Sequence, residues 1–155
     1  MAGLNGVSLP DAILPTAGPG RKTRRVVGVG VMTYTGKNRG SDETEAVRTA
    51  YVDSLATLVQ WLLAHEYDVR LLIGDETDRD VIHEVKSRVK ERAPDCDEAR
   101  ILDEPATSLG QLLSQMAATD LIVATRFHNV LLALMLGKPV LAITFHPKCV
   151  SLMRD

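Results

Sequence analysis

Five short apolar runs, each of strand length, alternate along this sequence with segments long enough to form a helix. The longer segments carry apolar residues three or four positions apart, which is the spacing of one face of an α-helix. Strands joined by helix-length crossovers pair in parallel, with right-handed connections. The pattern therefore predicts an open, doubly wound α/β sheet that is mostly parallel. Its predicted strands are Val26–Met32, Tyr67–Ile73, Ala99–Asp103, Leu121–Ala124 and Val140–Phe145.

Length, charge and cysteine usage narrow the class of protein. A chain of 155 residues fits one domain, and a net charge of -2 leaves no general attraction for nucleic acid or for an anionic membrane. No apolar run approaches the ~20 residues that a membrane span needs, and Met1–Arg25 lacks the apolar core of a secretory signal, so we expect a cytoplasmic protein. Cys96 and Cys149 lie far apart, which predicts neither a metal site nor a redox pair.

The first predicted strand, with the sequence VVGVGVM, invites comparison with the glycine-rich loop that binds dinucleotides. That fingerprint requires glycine where Thr33 stands, and an acidic residue at the end of a second strand ~20 residues later is missing. We therefore expect no dinucleotide cofactor. Residues 1–25, which are rich in proline and glycine and end in RKTRR, show neither helical nor strand periodicity and are predicted to be a tail or an interdomain linker.

The stretch Asp120–Lys148 predicts a strand, a polar loop, a helix, a tight turn and a last strand. Thr125 stands where a helix N-cap belongs, and Gly137 is expected to end the helix. Five apolar residues recur at helical spacing and are expected to form the face that packs on the sheet. They are Phe127, Val130, Leu131, Leu134 and Met135.

Positive and titratable side chains fall where two strands of this stretch end. Arg126 and His128 lie at the predicted helix start, and His146 and Lys148 follow the last strand. Ligands of such sheets bind beyond the carboxyl ends of the strands. A guanidinium fork, a lysine and the unpaired amides of a helix start together predict a site for a small, multiply charged anion. His128, beside a cation and a helix N-terminus, is the candidate acid or base.

The same residues carry a resemblance to a known family. The segments ATRFH and LGKPVLAITFHPK, separated by a helix, resemble the polysaccharide pyruvyl transferase family, which has there an Arg-x-His, a Gly-x-Pro and a lysine after the next strand. The segment VVGVGVMTYTG is also similar to that family. Asn129 departs from it, because many members carry glycine at that position.

The resemblance implies a GT-B-like enzyme of two Rossmann-like domains, of which residues 26–155 would be the C-terminal one and the N-terminal domain would be missing. Such an enzyme transfers a pyruvyl group from phosphoenolpyruvate to a pair of hydroxyls on a saccharide or lipid-linked saccharide, forming a ketal in polysaccharide biosynthesis. Arg126 and Lys148 would hold the donor, and His128 would protonate its methylene carbon. Thr125, Asn129 and His146 would be further substrate-binding residues. No metal or cofactor is implied, and the chain alone is expected to be inactive.

Three other interpretations follow from the residues. A nucleotide-sugar glycosyltransferase or epimerase of the GT-B class also binds phosphates at helix starts. A non-catalytic α/β module such as a receiver domain would need acidic residues after the first strand, where this chain has Thr33 and Tyr34. Arg126 could also serve stability by pairing with Asp120 or Asp103.

Overall fold

The computed structural model of the chain describes residues 24–33, 41–143, 150–151 and 153–154. Within these residues, five strands alternate with four α-helices, and short 3-10 turns precede α2 and β3. The strands are β1 (Val26–Gly30), β2 (Asp68–Leu72), β3 (Ile101–Leu102), β4 (Leu121–Ala124) and β5 (Val140–Ala142). The helices are α1 (Ser41–Ala64), α2 (Arg79–Arg92), α3 (Leu109–Ala117) and α4 (Phe127–Met135).

The five strands form one sheet in the order β3-β2-β1-β4-β5, and every pairing is parallel. The predicted α/β fold with a parallel sheet is therefore confirmed. The chain builds outward from β1 to β3 and then returns to the other side of β1 to add β4 and β5. The strand order thus reverses between β1 and β4, which is where open α/β sheets form a ligand crevice.

The alternation of valine and glycine in β1 determines how closely the two helical layers approach the sheet. Val27 and Val29 belong to the core that α1 and α2 cover. Gly28 and Gly30 alternate with them, so these two positions face the opposite side of the sheet. A Cβ at Gly28 would lie 2.9 Å from Cδ1 of Leu72 and 3.3 Å from Cγ1 of Ile122, so its absence leaves room for side chains of the neighbouring strands. A Cβ at Gly30 would lie 2.7 Å from Nδ2 of Asn129, so its absence lets α4 approach the sheet.

Two apolar cores, one on each face of the sheet, hold the fold together. The larger contains the inward residues of α1 and α2, and it confirms the predicted buried face of α2, which consists of Val81, Ile82, Val85 and Val89. The smaller lies under α3 and α4 and includes Met116, Ile122 and Val130. Each fully buried valine, leucine, isoleucine or methionine side chain contributes about 1.5–3 kcal/mol of hydrophobic stabilisation.

The apolar face predicted for α4 is only partly correct. The helix buries Asn129, Val130 and Ala133, whereas Leu134 and Met135 are 40% and 73% exposed. The buried stripe is rotated around the helix toward Asn129, because the absence of side chains at Gly30 and Gly74 leaves room for it. Gly137 ends the helix as predicted, with a φ of 63° that glycine adopts without strain.

Several predicted features lie outside the described residues. They include most of the tail or linker, Cys149, the last two residues of the fifth predicted strand, and the candidate site residues His146 and Lys148. Among the described residues, no helix is long and apolar enough to cross a membrane.

Candidate functional site

The loops that follow β1, β2 and β4 meet at the crevice where the strand order reverses. Thr33 lies beyond β1, the turn Gly74–Asp78 follows β2, and Arg126 follows β4. Hydrogen bonds between these three loops join the carboxyl ends of three neighbouring strands. They build the candidate site from residues that are distant in the sequence.

The carboxylate of Asp78, which is completely buried, is the common acceptor of this cluster. The backbone N–H of Thr33 donates to its Oδ1 at 2.8 Å, and the N–H groups of Gly74 and Asp75 donate to its Oδ2 at 3.0 Å each. Arg126 donates to both oxygens, from Nε to Oδ2 at 2.7 Å and from Nη2 to Oδ1 at 2.6 Å. A buried charge is stable only when it is paired and hydrogen-bonded, and these five donors meet that requirement.

Arg126 therefore has a structural partner as well as an exposed part. Its side chain is 24% exposed, and the hydrogen bonds to Asp78 raise the pKa of the guanidinium above its ordinary value. The sequence suggested Asp120 or Asp103 as its partner, and both suggestions are wrong. Asp120 accepts a backbone N–H of β1, and Asp103 pairs with Lys86.

Thr125 does not cap α4. Its hydroxyl donates to the carbonyl oxygen of Gly30 at 3.2 Å and so must accept from the hydroxyl of Tyr51, which lies 3.0 Å away. The Tyr51 oxygen in turn accepts the N–H of Met32 at 3.1 Å. This chain of bonds fixes the end of β4 against the end of β1 and against α1. Burial raises the pKa of Tyr51, so the phenol stays protonated as the chain requires.

Asn129 lies in a space that two glycines leave open. A Cβ at Gly30 would lie 2.7 Å from Asn129 Nδ2, and a Cβ at Gly74 would lie 3.4 Å from Oδ1 and 2.4 Å from Cδ of Arg126. The Asn129 side chain is fully buried, and neither its Oδ1 nor its Nδ2 has a hydrogen-bond partner in the described part of the chain. An unsatisfied buried amide costs about 1–3 kcal/mol, so packing alone does not account for an asparagine at this position.

The N-terminus of α4, directly after Arg126 in the chain, presents backbone N–H donors that have no acceptor among the described residues. Arg126 is the N-cap residue, but its side chain makes no capping bond, and the first helical bond runs from the N–H of Val130 to the Arg126 carbonyl. The three preceding N–H groups have no acceptor within the helix. His128 lies in this first turn and is exposed, with its ring edge-to-face against Phe127 at a centroid distance of 5.9 Å.

The structure brings together four of the six residues that the sequence predicted for the site. Thr125, Arg126, His128 and Asn129 follow β4 at the crevice, while His146 and Lys148 are outside the described residues. Sequence reasoning missed Asp78 and Tyr51. The pattern Asp75-x-x-Asp78 directly after a buried strand is a capping-box spacing, and it was the available signal for the buried carboxylate.

The arrangement can bind an anion. The edge of the Arg126 guanidinium formed by Nη1 and the second proton of Nη2 makes no bond to Asp78. The backbone of Arg126 leads directly into the positive end of the α4 helix dipole. Within the described residues, no group of three or more His, Cys, Asp or Glu side chains could hold a metal ion.

Comparisons with known proteins assign the chain to a family. No curated protein matches it at a significant level. The family model described as polysaccharide pyruvyl transferase matches residues 5–147, which is nearly the whole chain and includes Arg126 and His128. The chain therefore belongs to the polysaccharide pyruvyl transferase family.

Proposed function

We propose that this chain binds phosphoenolpyruvate and transfers its pyruvyl group to two hydroxyls of a saccharide, forming a cyclic ketal. One observation carries the proposal: Arg126 is fixed at an uncapped helix N-terminus at the crevice of the sheet, with an exposed His128 in the same first turn. Membership of the family supports the transferase class. Phosphoenolpyruvate as the donor and a cyclic ketal as the product go beyond the family match and are part of the proposal.

The proposed donor suits the charges of the site. Phosphoenolpyruvate carries a carboxylate and a phosphate, and each can accept from a guanidinium edge or from helix N-terminal amides. Because Asp78 neutralises part of the Arg126 charge, a donor of this charge needs a second cation. We assign that role to Lys148, and we assign His146 to the lining of the site. Thr125 is buried and its hydroxyl bonds to Gly30 and Tyr51, so we propose that it holds the loop that carries Arg126. Asn129 is fully buried and is proposed to support the donor site from below.

In the proposed reaction, protonated His128 delivers a proton to the methylene carbon of the donor, which becomes a methyl group. The electron pair of the double bond forms the new C–H bond, and the adjacent carbon becomes an oxocarbenium-like centre. One saccharide hydroxyl attacks that carbon and returns its proton to His128. Phosphate then leaves with its bonding pair, and the second hydroxyl closes the ketal and releases its proton. The scheme uses no metal and no organic cofactor.

The family resemblance also supports a GT-B-like arrangement, with this sheet as the C-terminal of two Rossmann-like domains. The saccharide or lipid-linked saccharide would then bind between the domains. In that arrangement the 155-residue chain alone binds the donor but does not complete the ketal. Complete ketal formation by this chain alone, detected as a new methyl signal by NMR, would refute the two-domain part of the proposal.

The choice of donor can be tested by thermal unfolding with candidate donors added separately. Phosphoenolpyruvate should raise the melting temperature of the wild type and should not raise that of Arg126→Ala. A nucleotide sugar should have no effect. The opposite pattern, in which a nucleotide sugar stabilises the chain in an Arg126-dependent way and phosphoenolpyruvate does not, would favour the glycosyltransferase or epimerase interpretation.

The role of His128 can be tested separately from binding. Glutamine at this position keeps a polar side chain but cannot donate a proton to carbon. His128→Gln should bind phosphoenolpyruvate like the wild type and should abolish phosphate release in the complete enzyme supplied with acceptor. Phosphate release at the wild-type rate would exclude His128 as the acid.

A further inference from the structure

We propose that Asp78 is the positioning residue of the donor site: it fixes Arg126 through the Nε and Nη2 edge, so that an anion can be bound only by the opposite, Nη1 and Nη2 edge. This inference rests on the proposed function in taking phosphoenolpyruvate as the anion. It adds a residue and a binding geometry that neither the family match nor the sequence pattern contains.

The geometry of the Arg126–Asp78 pair uses one edge of the guanidinium and leaves the other free. A guanidinium has five N–H donors, which form one fork at Nε and Nη2 and a second fork at Nη1 and Nη2. Arg126 commits the first fork to the two oxygens of Asp78 at 2.7 and 2.6 Å. Among the described residues, no further acceptor takes a hydrogen bond from Arg126. The second fork is therefore the part left free for a ligand, on a side chain that is 24% exposed.

Asp78 is itself held rigidly by the backbone around it. Its oxygens accept three backbone N–H groups, from Thr33 after β1 and from Gly74 and Asp75 after β2. Asp78 also lies in a 3-10 turn that leads directly into α2. The carboxylate is thus fixed to two strand ends and a helix by contacts that do not involve Arg126. A side chain held this way orients its partner, which lowers the ordering cost of binding.

Positioning of Arg126 and simple electrostatics predict different effects of Asp78 on anion binding. Asp78 is negative, so its charge alone opposes the binding of an anion nearby. If Asp78 mattered only through charge, its removal would strengthen anion binding. If it positions Arg126, its removal leaves a flexible guanidinium and weakens binding despite the loss of a negative charge. The two roles predict changes of opposite sign.

The test compares the wild type with Asp78→Asn by calorimetric titration, using phosphoenolpyruvate and, separately, inorganic phosphate. We expect Asp78→Asn to bind phosphoenolpyruvate at least about tenfold more weakly, as the loss of one charge-assisted hydrogen bond would do. Asp68→Asn is the matched control, because Asp68 pairs with Arg100 at 3.1 Å and stands at the start of β2, the opposite end of that strand from Asp78. The control should bind the donor like the wild type. Tighter binding by Asp78→Asn would overturn the proposal.

A second measurement remains informative if Asp78→Asn is poorly folded. The experiment records the NMR resonance of the Arg126 Nε–H in the wild type, which is assigned by its absence in Arg126→Lys. This proton should be protected from exchange with water and should stay protected when an anion is added. The Nη resonances should shift on addition of the anion. Loss of Nε–H protection on anion binding would show that the ligand displaces Asp78, and the proposal would fail. It would fail equally if neither anion perturbs Arg126. Perturbation by phosphate but not by phosphoenolpyruvate would refute the proposed donor and leave the role of Asp78 standing.

Discussion

The substitution Gly74→Ala tests the packing that supports the proposed donor site. The added Cβ would lie 2.4 Å from Cδ of Arg126, and ordinary contact between carbons begins near 3.5 Å, so the side chain must move by about 1 Å. Such a shift breaks the good geometry of the two hydrogen bonds from Arg126 to Asp78. Water can replace part of the loss because Arg126 is 24% exposed. We therefore expect a loss of about 2 kcal/mol, or a melting temperature about 4–8 °C lower.

The matched control is Gly110→Ala, within α3. Among the described residues, a Cβ there comes within 4 Å only of Ser108 Oγ, at 3.9 Å. Alanine in a helix is about 0.5–1 kcal/mol more stable than glycine. Gly110→Ala should therefore melt a few degrees higher than the wild type and bind phosphoenolpyruvate unchanged, while Gly74→Ala should melt lower and bind it more weakly. Differential scanning calorimetry with and without the donor measures both effects. Equal melting temperatures and equal donor binding in Gly74→Ala and the wild type would refute the reasoning.

Two further predictions concern hydrogen bonds at the crevice. Tyr51→Phe leaves the N–H of Met32 unpaired and should cost about 1–2 kcal/mol in urea unfolding at neutral pH. Burial raises the pKa of Tyr51 in the folded protein above its unfolded value near 10. The contribution of Tyr51 to the free energy of unfolding is therefore fully present below about pH 10 and is lost as pH rises further. Tyr51→Phe has no such group, so it should lose less stability above pH 10 than the wild type. The Asp75 carboxylate accepts a hydrogen bond from the N–H of Thr77, and this bond lowers the pKa of Asp75 from 3.8. The contribution of Asp75 to the free energy of unfolding is therefore lost as pH falls below about 4. Asp75→Asn, which keeps the cap, should show a shallower loss in acid thermal melts.

Hydrophobic periodicity was sufficient to predict the fold class. The strand Leu121–Ala124 and the buried face of α2 were predicted residue by residue, because both are governed by local spacing. The sheet order could not be derived from periodicity, since parallel strands of similar composition can be ordered in several ways. The error at Thr125 has a different cause: its hydroxyl bonds to residues 95 and 74 positions earlier in the sequence, which a local capping rule does not consider.

The candidate site was predictable only in part. Arg126 and His128 stand in a short motif at a predicted strand end, so both the residues and their location could be inferred. Asp78 lies 48 positions before Arg126, and only the pairing of β2 and β4 with β1 brings the two together. The rotation of α4 depends on the absence of side chains at Gly30 and Gly74, which a count of apolar residues does not register.

The central claim is that Arg126 and His128 form a phosphoenolpyruvate site, with Arg126 binding the donor and His128 acting on it. Calorimetric titration of phosphoenolpyruvate into the wild type, Arg126→Ala and His128→Gln tests it most directly. We predict saturable binding to the wild type, near-equal binding to His128→Gln, and binding at least about tenfold weaker to Arg126→Ala. Equal affinity of the wild type and Arg126→Ala, or no binding to the wild type at millimolar donor, would contradict the account.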